Sequence, residues 1–514
     1  MKKYIIILIL MLVNYSIYAQ GPGLEWQKCF GGSYNEFAED IKSTADGGYI
    51  LIGETYSLNG DVVGNHGNND AWVVKISSAG SLEWQKCLGG TQNDYANSIQ
   101  CTIDGGYVIA GETWSTDGDV LGNHGNNDSW VVKISSSGSL EWQRCLGGSS
   151  EDSAQSIQIT ADGGYIIAGY TYSNNGDVFG NHGYDDAWIV KLSSSGSLEW
   201  QICLGGSSDD RANSIQSTAD GGYIMGGWTF STDGDVFGNH GSKDFWVVKI
   251  SNIGVIEWKK CIGGPGIDVA YSIQTTFDGG YVVAGYSASN GGDVSGNIGN
   301  NNGWVVKLNN TGSLEWQKSL GGSASYAKSI QSTADGGYIL GGYSSDNNII
   351  SMSGYVNGHQ NDFWTAKINN IGNIEWQKCF GGTEYDQASS VQPTTDGGYI
   401  MSGWTNSNNE SVSGNHGGPV DIWVIKLAPY TFSTTAFEKD NLEIYPNPSS
   451  SIVTIKNPKN IHFDKITITD LTGKVVFLQT TNTNQINVES LTYGIYIINV
   501  FSESDIFKCK FLKE

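Results

Sequence analysis

Positive charge is scarce in this sequence. Against 52 Asp and Glu stand 28 Lys and Arg, for a formal net charge of −24, and the only arginines are Arg144 and Arg211. Nucleic acid and anionic membrane surfaces are recognised through Lys/Arg footprints, so this balance argues against both as partners. Long apolar runs are missing beyond the first nineteen residues, which leaves no transmembrane segment in the mature chain. There is no G-x-S-x-G elbow, H-E-x-x-H pair, phosphate-binding loop or C-x-x-C pair, so the common signatures of hydrolases, zinc proteases and nucleotide enzymes are lacking. With two arginines, an arginine triad for an acidic sugar is excluded as well.

The apolar run that does exist opens the chain. "MKKYIIILILMLVNYSIYAQ" has Lys2 and Lys3, a short hydrophobic stretch and a small residue at Ala19, the pattern of a secretory signal peptide over residues 1–19. Export makes the 8 cysteines candidates for disulfides. Their register argues otherwise. Cys29, Cys87, Cys145, Cys203, Cys261 and Cys379 each follow the Trp of an "EW" pair by three residues, once per repeat. Equivalent positions in stacked sheets lie about 10 Å apart, too far for a disulfide. Buried thiols acting as small hydrophobes are expected.

What the sequence has in abundance is glycine (70 residues), aromatics and repetition. The Trp residues of the "EW" pairs, from Trp26 to Trp376, are spaced by 58 residues five times and then by 60, and a second series from Trp72 to Trp423 keeps step. Each copy reads as four strands: "SIQST", a Gly turn "ADGG", "YIIAGYT", a long polar loop, "AWVVKIS" with period-2 alternation, a turn "SSGS", and "SLEWQKCLGG". Seven such copies predict an all-β fold, a seven-bladed β-propeller of four antiparallel strands per blade over residues 21–428. The first copy begins with an outer strand, "LEWQKCF" (24–30), and the last ends on a third strand, "DIWVIKL" (421–427). The N-terminal strand is therefore expected to complete the last blade and hide both edges. In "EWQKC" the Trp and Cys lie on opposite sides of the strand and should meet different neighbouring blades.

The "DGGY(I/V)xxG" and "WVVK(I/L)xxxG" words resemble bacterial secreted β-propeller repeats, a likeness that covers residues 24–427 and implies the fold rather than an activity. After Lys426 the repeat stops. Residues 429–440 read as a polar linker. Residues 441–514 carry Tyr445-Pro446-Asn447-Pro448, Asp470-Leu471-Thr472-Gly473-Lys474, Leu491 and Gly494-Ile495-Tyr496, then a Lys-containing end. These motifs resemble the type A C-terminal sorting domain of the type IX secretion system of Bacteroidota. That resemblance implies a small β-sandwich, export by the type IX machinery as partner, and a secreted or cell-surface product.

In four-stranded blades the long second loop and the interblade loop emerge on one face, while the short turns lie on the other. That face is where a ligand would bind. It is acidic: Glu36, Asp94, Asp152, Asp210, Asp268 and Asp386 recur in the interblade loops, and Asp61, Asp119, Asp177, Asp235 and Asp293 in the long loops. No cofactor is predicted; hard oxygen ligands of this kind would suit Ca²⁺, and the alternative is that each carboxylate caps its own turn. His66, His124, His182, His240 and His416 occupy one "NHG" position per copy and are expected to hold turns, since ligands spread round a ring do not converge on a metal. A site for one ligand breaks repeat symmetry. The strongest breaks are Arg211 beside Asp210, the "PGID" loop ending at Asp268, and the sixth-copy loop 344–362; with Trp114, Phe230 and Tyr355 they form the candidate ligand-binding set. The reading is a non-enzymatic exported module binding extracellular glycan or protein. A polysaccharide hydrolase or lyase using a carboxylate pair, and a purely structural surface protein, are the alternatives.

Overall fold

The computed structural model describes residues 21–298, 300–345, 360–429, 443–456, 462–470, 475–480, 483–502 and 506–513. The signal-peptide stretch, the 429–440 linker beyond Pro429, and Tyr355, Gly473 and Lys474 lie outside the described residues. The chain divides into two compact units, Met1–Pro429 and Tyr430–Glu514.

Among the described residues the first unit is all-β: seven antiparallel four-stranded sheets, six of them traced in sequence order from an inner to an outer strand. The first contains Glu36–Ser43, Tyr49–Thr55, Asp70–Ile76 and Leu82–Leu88, and the pattern repeats through the sheet that begins at Ser325–Ser332. The last is formed by Asp386–Pro393, Tyr399–Thr405, Asp421–Leu427 and the N-terminal Leu24–Phe30, which pairs antiparallel with Asp421–Leu427.

Side-chain chemistry fixes the stacking. Third strands such as Asp70–Ile76 are buried at every position because both faces of the sheet are covered, whereas outer strands begin exposed. Each outer-strand Trp packs on a Tyr of the following sheet: Trp84 on Tyr107 at 6.1 Å, Trp376 on Tyr399 at 5.9 Å, and Trp26 of the last sheet on Tyr49 of the first at 6.2 Å. The Trp and Cys of one outer strand do face opposite neighbours. Trp84 joins the second sheet's core, while Cys87 lies in a cluster shared with Ile400, Ile422 and Val424 of the last. The repeat cysteines are buried, and enclosure pushes the thiols of Cys29, Cys87, Cys145 and Cys261 up to about 12, so they remain protonated fillers.

Inner strands are joined by a second device. Ser98 Oγ accepts from Ile157 N of the next sheet at 3.3 Å, Ser156 from Ile215 N at 3.2 Å and Ser329 from Val391 N at 3.4 Å. In the first sheet Asp40 takes this place, accepting from Ile99 N at 3.2 Å and from Ser390 Oγ of the last sheet at 2.9 Å.

The repeated words now have causes. The Asp of "DGG", the Lys of "WVVK" and the Glu of "EW" converge: Lys191 Nζ meets Asp162 Oδ2, Glu199 Oε2 and Leu192 O, each at 3.0 Å, so all three of its donors are used. Equivalent triads surround Lys75, Lys133, Lys249, Lys307, Lys367 and Lys426. The Thr160 hydroxyl, the Gly164 N–H and Lys191 together hold Asp162 down to about 2. The last Gly of "YIIAG" answers a β-bulge in the inner strand; a Cβ on Gly53 would stand 1.7 Å from Phe37 O.

The second unit holds a three-stranded sheet (Glu443–Tyr445, Ile452–Lys456, Gln485–Asn487) and a four-stranded one (Val475–Gln479, Lys465–Thr469, Gly494–Phe501, Ile506–Lys513). Both contribute to one apolar cluster that includes Val453, Ile455, Ile486, Ile468, Ile498 and Phe511. Among the described residues no helix is long and apolar enough to cross a membrane.

Candidate functional site

The inner strands of all seven sheets line a polar cavity of about 270 Å³. Each inner strand is bulged one residue before its Asp40- or Ser-type bridge, which turns Glu39, Asn97, Gln155, Asn213, Tyr271, Lys328 and Ser389 toward this space. No two neighbours in that ring are alike, unlike the glutamines one layer deeper, Gln100 to Gln392, interrupted only by Lys42. Lys328 Nζ sits 3.8 Å from the Tyr271 ring centre. Enclosure pulls Lys328 below the usual lysine range, with Glu39 opposing, and pushes the Glu39 carboxyl up, with Lys328 opposing.

Around this cavity, at the end of each second strand, one position decides what the long-loop face offers. It is Tyr56, Trp114, Tyr172 and Phe230 in the first four sheets, then Ala288, Ser345 and Asn406. Each aromatic is pinned through its backbone N–H to the interblade loop: Tyr56 to Asn35 O at 3.0 Å, Trp114 to Asn93 O at 2.9 Å, Tyr172 to Glu151 O at 2.8 Å and Phe230 to Asp209 O at 2.9 Å. Tyr56, Trp114 and Phe230 are 37%, 40% and 46% exposed. An aromatic arc thus runs over four adjacent sheets and stops at the fifth. Trp114 and Phe230 were legible as exposed aromatics. Tyr56 and Tyr172 were missed, although aligning the copies on "ETY", "ETW", "YTY" and "WTF" would have found them.

Arg211 underlies this arc rather than projecting from it. Its guanidinium lies 3.9 Å from the Tyr170 ring centre and 5.6 Å from that of Trp228, pairs through Nε with buried Asp185, and donates to Tyr172 Oη at 3.3 Å. It therefore orients Tyr172. Asp210 and Asp268 require a correction as ligand-contacting residues, because both are fully buried. Asp210 Oδ2 accepts from Gly206 N and Ser231 Oγ, both at 2.7 Å, and Asp268 Oδ2 accepts from Gly264 N at 2.8 Å and Ser289 Oγ at 2.7 Å. Their oxygens close the interblade turn, as Glu36 does with Gly32 N at 2.9 Å.

The histidines fasten the long loops. In His66, main-chain N and Nδ1 both meet Asp70 Oδ2, at 3.1 and 2.6 Å, and the arrangement recurs at His124, His182, His240 and His416. Burial pushes Asp70, Asp128 and Asp244 up to about 6 despite these contacts. Among the described residues no group of three or more His, Cys, Asp or Glu is gathered in a metal-binding arrangement.

In the second unit Asn447 clamps the last strand, donating from Nδ2 to Lys510 O and accepting at Oδ1 from Leu512 N, both at 2.9 Å. Tyr496 is buried and donates to Thr492 O at 2.9 Å, whereas Tyr445 is half exposed. Pro446, Pro448, Asp470 and Gly494 lie within the described part of this unit. Residues 443–514 match the family model described as secretion system C-terminal sorting domain. The tail is a sorting domain. It marks the chain for export by the type IX system, for release or for attachment at the cell surface.

For the repeat unit the comparisons say less. The chain is similar to regulatory protein FlaEY of Caulobacter vibrioides, 26% identical over 190 residues that cover 34% of this chain and 20% of that protein. This chain thus spans about a fifth of that relative's length. Among solved structures, Sqt1 from Chaetomium thermophilum gives a TM-score of 0.41 at 10% identity, covering 79% of this chain and 100% of that one. PorZ, a surface component of the type IX secretion system of Porphyromonas gingivalis, gives 0.27 at 12% identity, covering 86% and 64%. YCF48, in a structure with a D1 peptide bound, gives 0.38 at 10% identity, covering 80% and 99%. Likenesses this distant carry no argument about activity.

Proposed function

We propose that this is an exported, non-enzymatic binding protein of a Bacteroidota cell surface, which holds extracellular glycan on the long-loop face of a closed seven-bladed β-propeller. Residues 21–428 form the propeller, 429–440 the linker, and 441–514 a small β-sandwich that the type IX machinery recognises. The observation that carries the reading is the aromatic arc of Tyr56, Trp114, Tyr172 and Phe230. Its members are equivalent, adjacent, partly exposed and fixed by main-chain hydrogen bonds. Sugar rings present C–H faces that stack on such surfaces, and pre-positioned aromatics bind with little ordering cost. Asn and Asp of the surrounding loops supply partners for hydroxyls.

The test is a glycan array probed with the secreted protein, followed by calorimetry with a responding oligosaccharide. Binding without product release, weakened at least tenfold by Trp114→Ala and by Phe230→Ala with unchanged melting, supports the reading. Turnover of the bound oligosaccharide, or binding indifferent to both substitutions, overturns it.

A further inference from the structure

One sector of the same face is rich in hydrogen-bond acceptors and holds no cation of its own, its donors being the hydroxyls of Tyr56, Tyr95 and Ser153 beside the glutamates. In the first two sheets the residue preceding the arc by two positions is a glutamate, Glu54 and Glu112, where later sheets carry Tyr170, Trp228, Tyr286, Tyr343 and Trp404. Glu54 Oε2 accepts from Asn69 Nδ2 at 2.8 Å and Glu112 Oε2 from Asn127 Nδ2 at 3.2 Å. Both asparagines are buried, at 0% and 2% exposure, and the other atom of each carboxamide, Oδ1, has no partner. Each orphan oxygen belongs to the carboxamide that holds the glutamate, one amide group away from the carboxylate. A buried acceptor left unpaired costs free energy, and here the same cost is incurred in two adjacent copies.

The cations of this face are committed elsewhere. Arg211 lies on Tyr170 and pairs with Asp185, acting on Glu112 only electrostatically, and Lys243 Nζ stands 3.5 Å from the Trp228 ring centre. Burial pushes Glu54 up to about 7, reinforced by Glu39 and Glu112, and raises Glu112 too, as befits carboxylates with no cation beside them. Next to them stand Tyr56 and Trp114, whose ring faces attract positive charge.

Resting on the glycan reading above, we infer that the Glu54–Asn69 and Glu112–Asn127 recesses form a subsite for the ammonium group of a free amino sugar. The charged N–H donors would satisfy a carboxylate and the orphan amide oxygen together, while the sugar ring stacks on Trp114 or Tyr56. An N-acetylated sugar has one neutral N–H and a bulky acyl group and cannot make the same set.

The experiment is calorimetric titration of the secreted full chain with glucosamine oligomers, N-acetylglucosamine oligomers, glucose oligomers and a lysine homopeptide. Glucosamine oligomers are expected to bind at least tenfold tighter than the N-acetylated ones. The double variant Glu54→Gln with Glu112→Gln should erase that margin while keeping the melting temperature and any binding of neutral sugars. Equal affinity for the amine and the acetamide, a preference that survives the double variant, or a lysine peptide binding as tightly as the amino sugar overturns the inference while leaving the glycan reading standing. Absence of binding to every sugar overturns both.

Discussion

Consider the triad around Lys191, whose side chain is 3% exposed and whose ammonium is held by Asp162, Glu199 and Leu192 O. Replacing Asp162→Asn and Glu199→Gln together removes both counter-charges but keeps oxygen acceptors in place. A buried charge left uncompensated costs about 3–5 kcal/mol, and the retained neutral acceptors put this case at the lower end, about 3 kcal/mol. Unfolding entropy near 2.1 cal/mol/K per residue gives roughly 0.85 kcal/mol/K for a cooperative unit of about 400 residues, so the melting temperature should fall by roughly 3–4 °C. Adding Lys191→Met removes the stranded charge and keeps the apolar stem that packs between sheets. The triple variant should therefore recover most of the loss and melt within about 1–2 °C of the parent. Differential scanning calorimetry of the three proteins decides it. If Lys191→Met lowers the double variant further, the triad is not a charge balance and the argument for the repeated Asp, Lys and Glu fails.

Four further outcomes are expected. Trp72 Nε1 donates to Gln85 Oε1 at 2.7 Å, but Trp246 Nε1 is buried without a partner because Lys259 stands where the other copies have Gln; Lys259→Gln should stabilise by about 1 kcal/mol, since an unmet buried donor costs more than the half-exposed Lys259–Asp235 pair gives, and a lower urea midpoint would count against this. Stability should peak near pH 4: Asp46, Asp104 and Asp162, held near 2, contribute above an unfolded value of about 4 and lose it as pH falls toward 2, while Asp70, Asp128 and Asp244, pushed to about 6, favour folding below pH 4 and lose that as pH rises through 6. A melting temperature rising steadily from pH 4 to 8 would contradict it. Removing residues 21–32 deletes the outer strand of the last sheet and should abolish a single cooperative transition, seen by calorimetry. Gly53→Ala drives a methyl into Phe37 O and should cost at least 3 kcal/mol, whereas Gly23→Ala, with open space around its added carbon, should change the urea midpoint by less than 0.5 kcal/mol.

Much of the architecture could be read before any coordinates. Two Trp series in step, turn words between alternating segments and an orphan strand at each end of the repeat are local signals, and strand pairing obeys them down to Leu24–Phe30 beside Asp421–Leu427. The interblade carboxylates were harder. Asp210 and Asp268 follow polar loops and look exposed in one dimension, yet each opens an inner strand and is buried by its own turn, the capping role that the sequence offered as the alternative. The arc was half legible, because an aromatic after "ET" or "YT" is visible but its exposure is not.

The sequence by itself determined the unit: four strands, the bulge opposite Gly53, the Asp–Lys–Glu triad words and a sorting tail, all set by periodicity and neighbours within reach of one another along the chain. Only the tertiary structure decided which side of that unit does the work. Trp84 finds its Tyr and Ser98 the next sheet's N–H through stacking, and the Glu54–Asn69 pair of the first sheet comes beside Asn93 of the second, which holds Trp114. Packing joins residues by distance in space, and repeats of equal shape hide in their equality the few positions where one copy departs from the rest.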